Sequence, residues 1–167
     1  LSAASVLLND VNSLAFGKSI DGTLDVTTDG NITQVGALTV ADAATLNAGD
    51  RNNIVLTNTA NDFLSVTIVA AENVSLRDKN SLELGASTVS GVLTVTAVQG
   101  ISQSGAWTVA DKTTLMTGSL YDITLTEDND FEELAIVSGR NVQLTDTSEL
   151  LLATSRIYGT LTVNAGA

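Results

Sequence analysis

The segment Gly22-Thr-Leu-Asp-Val-Thr27 returns twice along the chain and sets its architecture. Its copies are Gly91-Val-Leu-Thr-Val-Thr96 and Gly159-Thr-Leu-Thr-Val163, which follow at nearly equal intervals. When residues 22–90 are laid on residues 91–158, 30 of the 68 aligned pairs are identical. Self-similarity at a fixed interval is typical of repeat architectures. We therefore predict one continuous array over residues 1–167, with the tail of a repeat at 1–21, full repeats at 22–90 and 91–158, and the head of another at 159–167.

A shorter rhythm runs inside each repeat. Apolar–x–apolar pieces such as Leu24–Val26, Leu38–Val40 and Ile54–Leu56 follow one another at short, somewhat uneven intervals. Alternation places the two apolar side chains on one face of a strand and the middle side chain on the other. Gly, Asn and Asp separate the pieces, as turns require. The pattern predicts many short β-strands and no long helix.

A parallel β-solenoid explains this pattern better than a sandwich or a barrel. Only in a solenoid does each turn pack on the next with like residue over like residue, so only a solenoid needs the fixed interval. Division of the unit 22–90 by three predicts coils of about 23 residues with three short strands each. The 167 residues then correspond to about seven coils.

The composition excludes several kinds of chemistry. The chain has no Cys and no His, which excludes a disulfide framework, a cysteine nucleophile, a Ser-His-Asp triad and an imidazole metal site. Its net charge of −12 argues against nucleic acid as a partner. No apolar run reaches the roughly 18 residues that a membrane helix needs, so no membrane insertion is expected. The absence of Pro suits a chain that lies almost entirely in β-ladders.

Three longer segments carry a family resemblance: residues 32–41, residues 52–63 and residues 84–91. They resemble the repeats of filamentous-haemagglutinin-like bacterial surface exoproteins, which are passengers of two-partner secretion, and the resemblance covers essentially the whole chain. It implies a right-handed parallel β-helix, secretion to the bacterial cell surface, and a structural role as a stiff stalk of an adhesin-like protein. The chain is then expected to be an excerpt of a longer fibre.

The same resemblance suggests partners. Neighbouring repeats, further copies of the chain stacked end to end, and a host or cell-surface glycan or protein are the expected contacts. A carbohydrate- or calcium-binding β-helix module is the alternative function, and ice-binding or polysaccharide-degrading β-helices are weaker ones. The seven basic residues are Lys18, Arg51, Arg77, Lys79, Lys112, Arg140 and Arg156. They do not recur in register with acids, so we predict no catalytic residues and no enzyme.

The densest charge lies at Glu127-Asp-Asn-Asp130, followed by Glu132 and Glu133. Carboxylate oxygens are the ligands that calcium prefers, which makes Glu127, Asp128 and Asp130 weak candidates for a calcium site. The matching segment 58–62 has only one acid, so the repeat does not require such a site. A solvated corner loop is the simpler interpretation, and no other cofactor is indicated.

Two tyrosines replace polar residues of the first repeat: Tyr121 stands where Asn52 does, and Tyr158 where Ser90 does. Such rings suit surface contacts with a sugar or a protein, although isolated exposed aromatics are the plainer interpretation. Phe63 matches Phe131, which predicts that both fill the core or plug a corner. Alternating Thr pairs occur at Thr94/Thr96, Thr124/Thr126 and Thr160/Thr162. Their positions are irregular, which favours ordinary outward strand residues over an ice-binding face.

The matched residues Asn73 and Asn141 stand at predicted corners. Asparagines in such places can hydrogen-bond to the equivalent residue one turn away and form a ladder. They can also serve because Asn tolerates a left-handed backbone conformation. The sequence leaves both explanations open.

Overall fold

The computed structural model describes residues 5–17 and 19–166, and in it the chain winds as an all-β parallel solenoid of about eight turns. The predicted repeat ends at 1–21 and 159–167 therefore lie partly outside the described residues, as does Lys18. No helix that is long and apolar enough to span a membrane occurs in the described part of the chain. The strands are β1 (Ser5–Asp10), β2 (Leu14–Phe16), β3 (Thr23–Thr28), β4 (Ile32–Gln34), β5 (Thr39–Gly49), β6 (Ile54–Leu56), β7 (Asp62–Ala71), β8 (Val74–Asp78), β9 (Leu82–Leu84), β10 (Ser87–Val89), β11 (Leu93–Ala97), β12 (Ile101–Gln103), β13 (Trp107–Met116), β14 (Ile123–Ser138), β15 (Val142–Asp146), β16 (Leu151–Leu152) and β17 (Leu161–Ala165).

Each turn bonds to the turns directly below and above it. The turn of residues 74–92, for example, contains β8, β9 and β10. The next turn then begins with β11, whose Leu93 pairs with Val74 in parallel. The length of a turn varies along the rod, because Ser5 already pairs with Thr23, whereas Thr39 pairs only with the more distant Asp62.

The predicted count of about seven coils is corrected by this register. Leu24 stacks below Ala44, Ala44 below Val66 and Val66 below Leu84, so three turns from Leu24 end at Leu84. The repeat equivalent of Leu24 is Leu93, which lies further along the chain and stacks on Val74 instead. The following turn carries the stack from Leu84 to Gln103, so Leu93 falls midway through that turn.

One repeat therefore spans about three and a half turns. The predicted division by three is wrong because the hydrogen-bond register, and not the repeat length, sets the size of a turn. Equivalent residues of the two repeats consequently lie on different sides of the solenoid.

The core is a continuous set of apolar ladders that runs through the turns. Ile32, Ile54 and Val74 stack in one ladder and are almost completely buried. Burial of each such side chain stabilises the fold by about 1.5–3 kcal/mol. Phe63 and Phe131 are both buried in the core, which is the first of the two positions predicted for them. The Trp107 ring meets the Phe131 ring edge-on, with the centroids 6.0 Å apart.

Candidate functional site

A column of asparagine amides runs along one corner of the first repeat. The Asn31 Oδ1 atom accepts the backbone N–H of Asn53 at 2.8 Å, and the Asn53 Oδ1 atom accepts that of Asn73 at 3.1 Å. The Asn73 Oδ1 atom then accepts the N–H of Val92 at 3.0 Å. Each amide satisfies a backbone donor of the turn above, which a corner would otherwise leave unpaired.

The second repeat builds an equivalent column, on another side of the solenoid, from Asp122 and Asn141. The Asp122 Oδ1 atom accepts the backbone N–H of Asn141 at 3.1 Å, and the Asn141 Oδ1 atom accepts that of Thr160 at 3.0 Å. The Arg140 guanidinium donates to both Asp122 oxygens at 2.8 Å. This pairing, helped by the Asn141 bonds, lowers the pKa of Asp122 to about 2.

These columns settle the two explanations for Asn73 and Asn141 in favour of the ladder. Across the described residues, positive φ occurs at a glycine and at no other residue type. Neither asparagine therefore adopts a left-handed conformation, and that explanation is wrong.

The glycines Gly91 and Gly159, which begin the second full repeat and the partial repeat after it, pack against these columns. A Cβ atom on Gly91 would lie 2.6 Å from the Asn73 Oδ1 atom and 2.8 Å from the Glu72 carbonyl oxygen. A Cβ atom on Gly159 would collide with the Asn141 Oδ1 atom in the same way. At these two positions the motif begins with glycine because the ladder amide occupies the space of a side chain.

A second polar feature lies inside the core. Gln34 and Asn61 form a reciprocal amide pair, with Nε2–Oδ1 and Nδ2–Oε1 distances of 2.8 and 2.9 Å. The Asn61 Oδ1 atom also accepts the backbone N–H of Leu38 at 2.9 Å, and its Nδ2 atom donates to the Leu56 carbonyl at 3.0 Å. Asn61 is completely buried, so these bonds stand in for water.

The second repeat copies this pair almost atom for atom. Gln103 and Asn129 form the reciprocal bonds at 2.8 and 2.9 Å, and the Asn129 Oδ1 atom accepts the Trp107 N–H at 2.9 Å. The identity of Gln34 with Gln103, and of Asn61 with Asn129, is the sequence signal for the pair. That signal does not say which of many polar residues turn inward, so the role of the pair was not predicted.

A buried aspartate completes the shared interior of each repeat. The Asp78 carboxylate accepts the N–H of Phe63 at 2.7 Å and that of Asn80 at 2.6 Å. Burial raises the pKa of Asp78, and these two hydrogen bonds oppose the rise. Asp146 accepts the Phe131 N–H at 2.9 Å in the second repeat. Both carboxylates tie a bulged strand to the turn above it.

The calcium candidates lie on a single exposed corner. Glu127, Asp128 and Asp130 all point to solvent, and Asp130 accepts a hydrogen bond from the Ser148 hydroxyl at 2.8 Å. In residues 5–17 and 19–166, no three acidic side chains come together in a way that could hold a metal ion. Calcium binding at this corner stays a prediction.

The two tyrosines lie along one corner, two turns apart. The Arg140 N–H donates to the Tyr121 carbonyl at 2.8 Å, and the Gly159 N–H donates to the Arg140 carbonyl at 2.7 Å. Both rings are substantially exposed. A role of Tyr121 and Tyr158 in surface contacts stays a prediction, although the structure brings them closer together than their separation in sequence indicated.

The threonine pairs do not form a continuous file. Thr94 stacks below Thr114, but Thr114 stacks below Ala135. Thr124 lies between Ser102 and Gln143. The regular threonine rank on which an ice-binding face depends is therefore interrupted at these positions.

Two shallow grooves occupy equivalent positions in the repeats, each beside a bulge in the register. The first has a volume of about 390 Å³ and includes Asp62, Leu64 and Ser81 in its lining. The second, of about 300 Å³, is lined by Glu132, Glu149, Leu150 and Leu151. Glu132 stands where Leu64 does, and Glu149 where Ser81 does, so the groove of the second repeat has two glutamates at positions that are uncharged in the first.

Comparison with known proteins gives one match. No curated protein and no solved structure matches the chain. A family described as "Repeats of unknown function (DUF5649)" matches twice, over residues 3–70 and 71–138, and the two matches together cover most of the chain. They adjoin and are equal in length, in agreement with the interval found within the sequence. The chain therefore belongs to this family of repeats.

Proposed function

We propose that the chain is a structural module, a stiff segment of the stalk of a large secreted or cell-surface adhesin-like exoprotein. The observation that carries the proposal is that each turn makes its backbone bonds and apolar ladders with the turns directly above and below. Stability then grows as a sum of turns and their interfaces, so a rod can be lengthened without a new core. The module is non-enzymatic in this proposal.

Two finer features belong to the same proposal. The solenoid is right-handed in this proposal, because crossovers between parallel strands of one sheet are nearly always right-handed. The location is the bacterial cell surface, which is supported by the resemblance to secreted exoproteins. The acidic sides, with a net charge of −12, would keep such rods soluble.

The two ends of the described solenoid are apolar, which supports end-to-end contact. The first turns surround an open cavity of about 460 Å³, lined by Val6, Leu8, Leu14 and Phe16 among others. At the other end β17 pairs with β15, and its Leu161 and Val163 are exposed. Their equivalents inside the rod, Leu93 and Val95, are almost fully buried. Neighbouring repeats, or another copy stacked end to end, would cover these surfaces.

The proposal is tested by lengthening the chain. Insertion of a second copy of residues 22–158 after Tyr158 adds two whole repeats in phase with those already present. About seven further turns at about 4.8 Å each lengthen the rod by roughly 34 Å. Small-angle X-ray scattering should show this increase in maximum dimension with an unchanged cross-section, together with a higher free energy of unfolding.

The matched control inserts residues 22–146, which breaks the phase and should interrupt the rod. If the in-phase protein gains no more length or stability than this control, the stalk proposal is wrong. End-to-end stacking is read separately, as growth in length with protein concentration at constant cross-section.

A further inference from the structure

A patch of apolar, aromatic and basic side chains covers one corner of the second repeat through successive turns. We call this patch the aromatic corner. Backbone bonds connect its turns, from the Gly118 N–H to the Val98 carbonyl, from Arg140 to Tyr121 and from Tyr158 to Gly139. Its members are Val98, Leu120, Tyr121, Arg140, Arg156 and Tyr158.

The side chains of the aromatic corner are available for contact. Leu120 is 73% exposed, Tyr121 41% and Tyr158 51%. The Arg156 guanidinium lies 5.0 Å from the centroid of the Tyr158 ring, and Arg156 makes none of the ion pairs found among the described residues. Exposed aromatic and arginine side chains of this kind are typical of the central residues of protein interfaces.

The first repeat shows that the fold does not require this patch. The equivalent positions there carry two acids and one base. The aromatic corner carries two bases, of which Arg140 is paired with Asp122 beside the corner, whereas Arg156 makes none of the ion pairs found among the described residues. In the order of the members above, the equivalents are Asp29, Arg51, Asn52, Glu72, Thr88 and Ser90. Both sets occupy the same kind of corner, so the change of chemistry is a property of the surface alone.

A second corner of the solenoid is acidic along most of its length, and we call it the acidic edge. Its exposed carboxylates stand about one to a turn, at Asp29, Asp50, Glu72, Asp111, Glu132 and Glu149. The edge is distinct from the column of the aromatic corner. The turn that begins at Glu72 reaches the column of the aromatic corner only at Lys79. This residue lies just below Val98, whose N–H bonds to the Asp78 carbonyl.

We propose that the aromatic corner of one copy of the chain docks against the acidic edge of a second copy, side by side. The aromatic corner offers the guanidinium of Arg156, the acidic edge offers exposed carboxylates, and arginine pairs well with carboxylates. They also share a spacing, because both rods present their side chains at a rung distance of about 4.8 Å. A second copy is the occupant that matches both the charge and this periodicity.

The contact joins two different surfaces, so it is heterologous and does not close into a dimer. Rods added in this way form an open lateral array. This contact goes beyond the end-to-end stacking proposed above and does not depend on it, because it uses the sides of the rod and not its ends.

The test replaces four corner residues by those of the first repeat: Leu120→Arg, Tyr121→Asn, Arg156→Thr and Tyr158→Ser. The same fold already holds these residues at equivalent positions, so the variant should keep its circular dichroism and melting temperature. Sedimentation velocity should show lateral association weakened by about tenfold or more, as expected when aromatic and arginine anchors are lost. In scattering, the wild-type cross-section should grow with concentration and shrink again in high salt.

A charge exchange tests the pairing itself. The variant Leu120→Glu with Arg156→Glu leaves the pair of Arg140 with Asp122 intact. This variant, and the variant Asp50→Arg with Glu72→Arg, should each self-associate poorly. Mixed together they should associate through the two reversed surfaces. The proposal is overturned if folded variants fail to recover association on mixing, if the four-residue variant associates like the wild type, or if the wild-type cross-section never grows. Growth in length alone would overturn the side-by-side contact while leaving end-to-end stacking in place.

Discussion

The two full repeats agree inside and differ outside. The amide pair of Gln34 and Asn61 returns as Gln103 and Asn129 with the same bond lengths of 2.8 and 2.9 Å. On the surface, by contrast, Tyr121 stands where Asn52 does. The buried polar groups must satisfy backbone donors at fixed places, so the turn geometry dictates them. The exposed side chains do not have to satisfy backbone donors, so they can acquire separate functions in each repeat.

The difference is amplified by the winding. Because a repeat spans about three and a half turns, a side chain that occurs once in each repeat alternates between two sides of the rod. Leu24 and Leu93 illustrate this, since they are equivalent in sequence but belong to different stacks. An unequal pair of repeats therefore gives the rod two unlike sides.

The largest effect is expected at the shared amide pair. Asn61→Ala leaves the Leu38 N–H without its acceptor and removes the Asn61 bonds to the Leu56 carbonyl and the Gln34 side chain. It should lower the free energy of unfolding by about 3 kcal/mol. Asn129→Ala should cost a similar amount, because its partners are equivalent. Urea unfolding measures both, with Asn58→Ala as a control that should change stability by less than about 1 kcal/mol.

Equal losses in the two variants would sharpen the claim that the interiors are interchangeable. A loss confined to one repeat would contradict that claim, because the same bonds would then contribute differently to the free energy of unfolding in the two repeats.

A smaller effect is expected at the glycine that heads the repeat. Gly91→Ala places a methyl group 2.6 Å from the Asn73 Oδ1 atom, and relief of such crowding should cost about 1–3 kcal/mol. Gly159→Ala meets the equivalent amide in the exposed last turn, which can shift more easily, so its cost should be lower. Gly36→Ala is the control, because its nearest neighbours lie 3.7 Å away. Thermal unfolding should rank the three in that order, and an equal cost for Gly36 and Gly91 would remove the ladder explanation.

The sequence predicts the solenoid well because the stacking of like turns enforces a fixed interval between like residues. It also places Asn73 and Asn141 at corners, although only the structure decides for the ladder over a left-handed conformation. It does not predict turn length, because bulges such as the one between Val40 and Ala43 change the register locally. Nor does it distinguish the buried Asn61 from the nearby Asn58, since both are polar residues of one corner and only the packed turns decide which amide faces inward.

The pH dependence of stability should differ in sign between two aspartates. Burial raises the pKa of Asp78 above its ordinary 3.8. Between 3.8 and the raised pKa the folded state binds more protons than the unfolded state, so stability falls as the pH rises. Arg140 lowers the pKa of Asp122 from 3.8 to about 2, so there the unfolded state binds more protons and stability rises with pH. Asp78→Asn and Asp122→Asn should therefore change the slope of unfolding free energy against pH in opposite directions.

Chemical unfolding across the acidic range measures these slopes. The comparison fails if both substitutions change the slope in the same direction, because burial and ion pairing would then not be the dominant causes at the two sites.

The smallest effect is expected at the two lysine ion pairs between turns, one in each full repeat. Lys79 meets Asp62 at 2.8 Å and Lys112 meets Glu133 at 2.6 Å, and both lysines are nearly half exposed. Lys79→Met and Lys112→Met should each change the free energy of unfolding by less than about 1 kcal/mol, because exposed pairs gain little over their hydration. High salt should remove even this difference. A salt-independent loss of about 2 kcal/mol, well above what an exposed pair contributes, would mean that the lysine stems, and not only the ladders, hold the turns together.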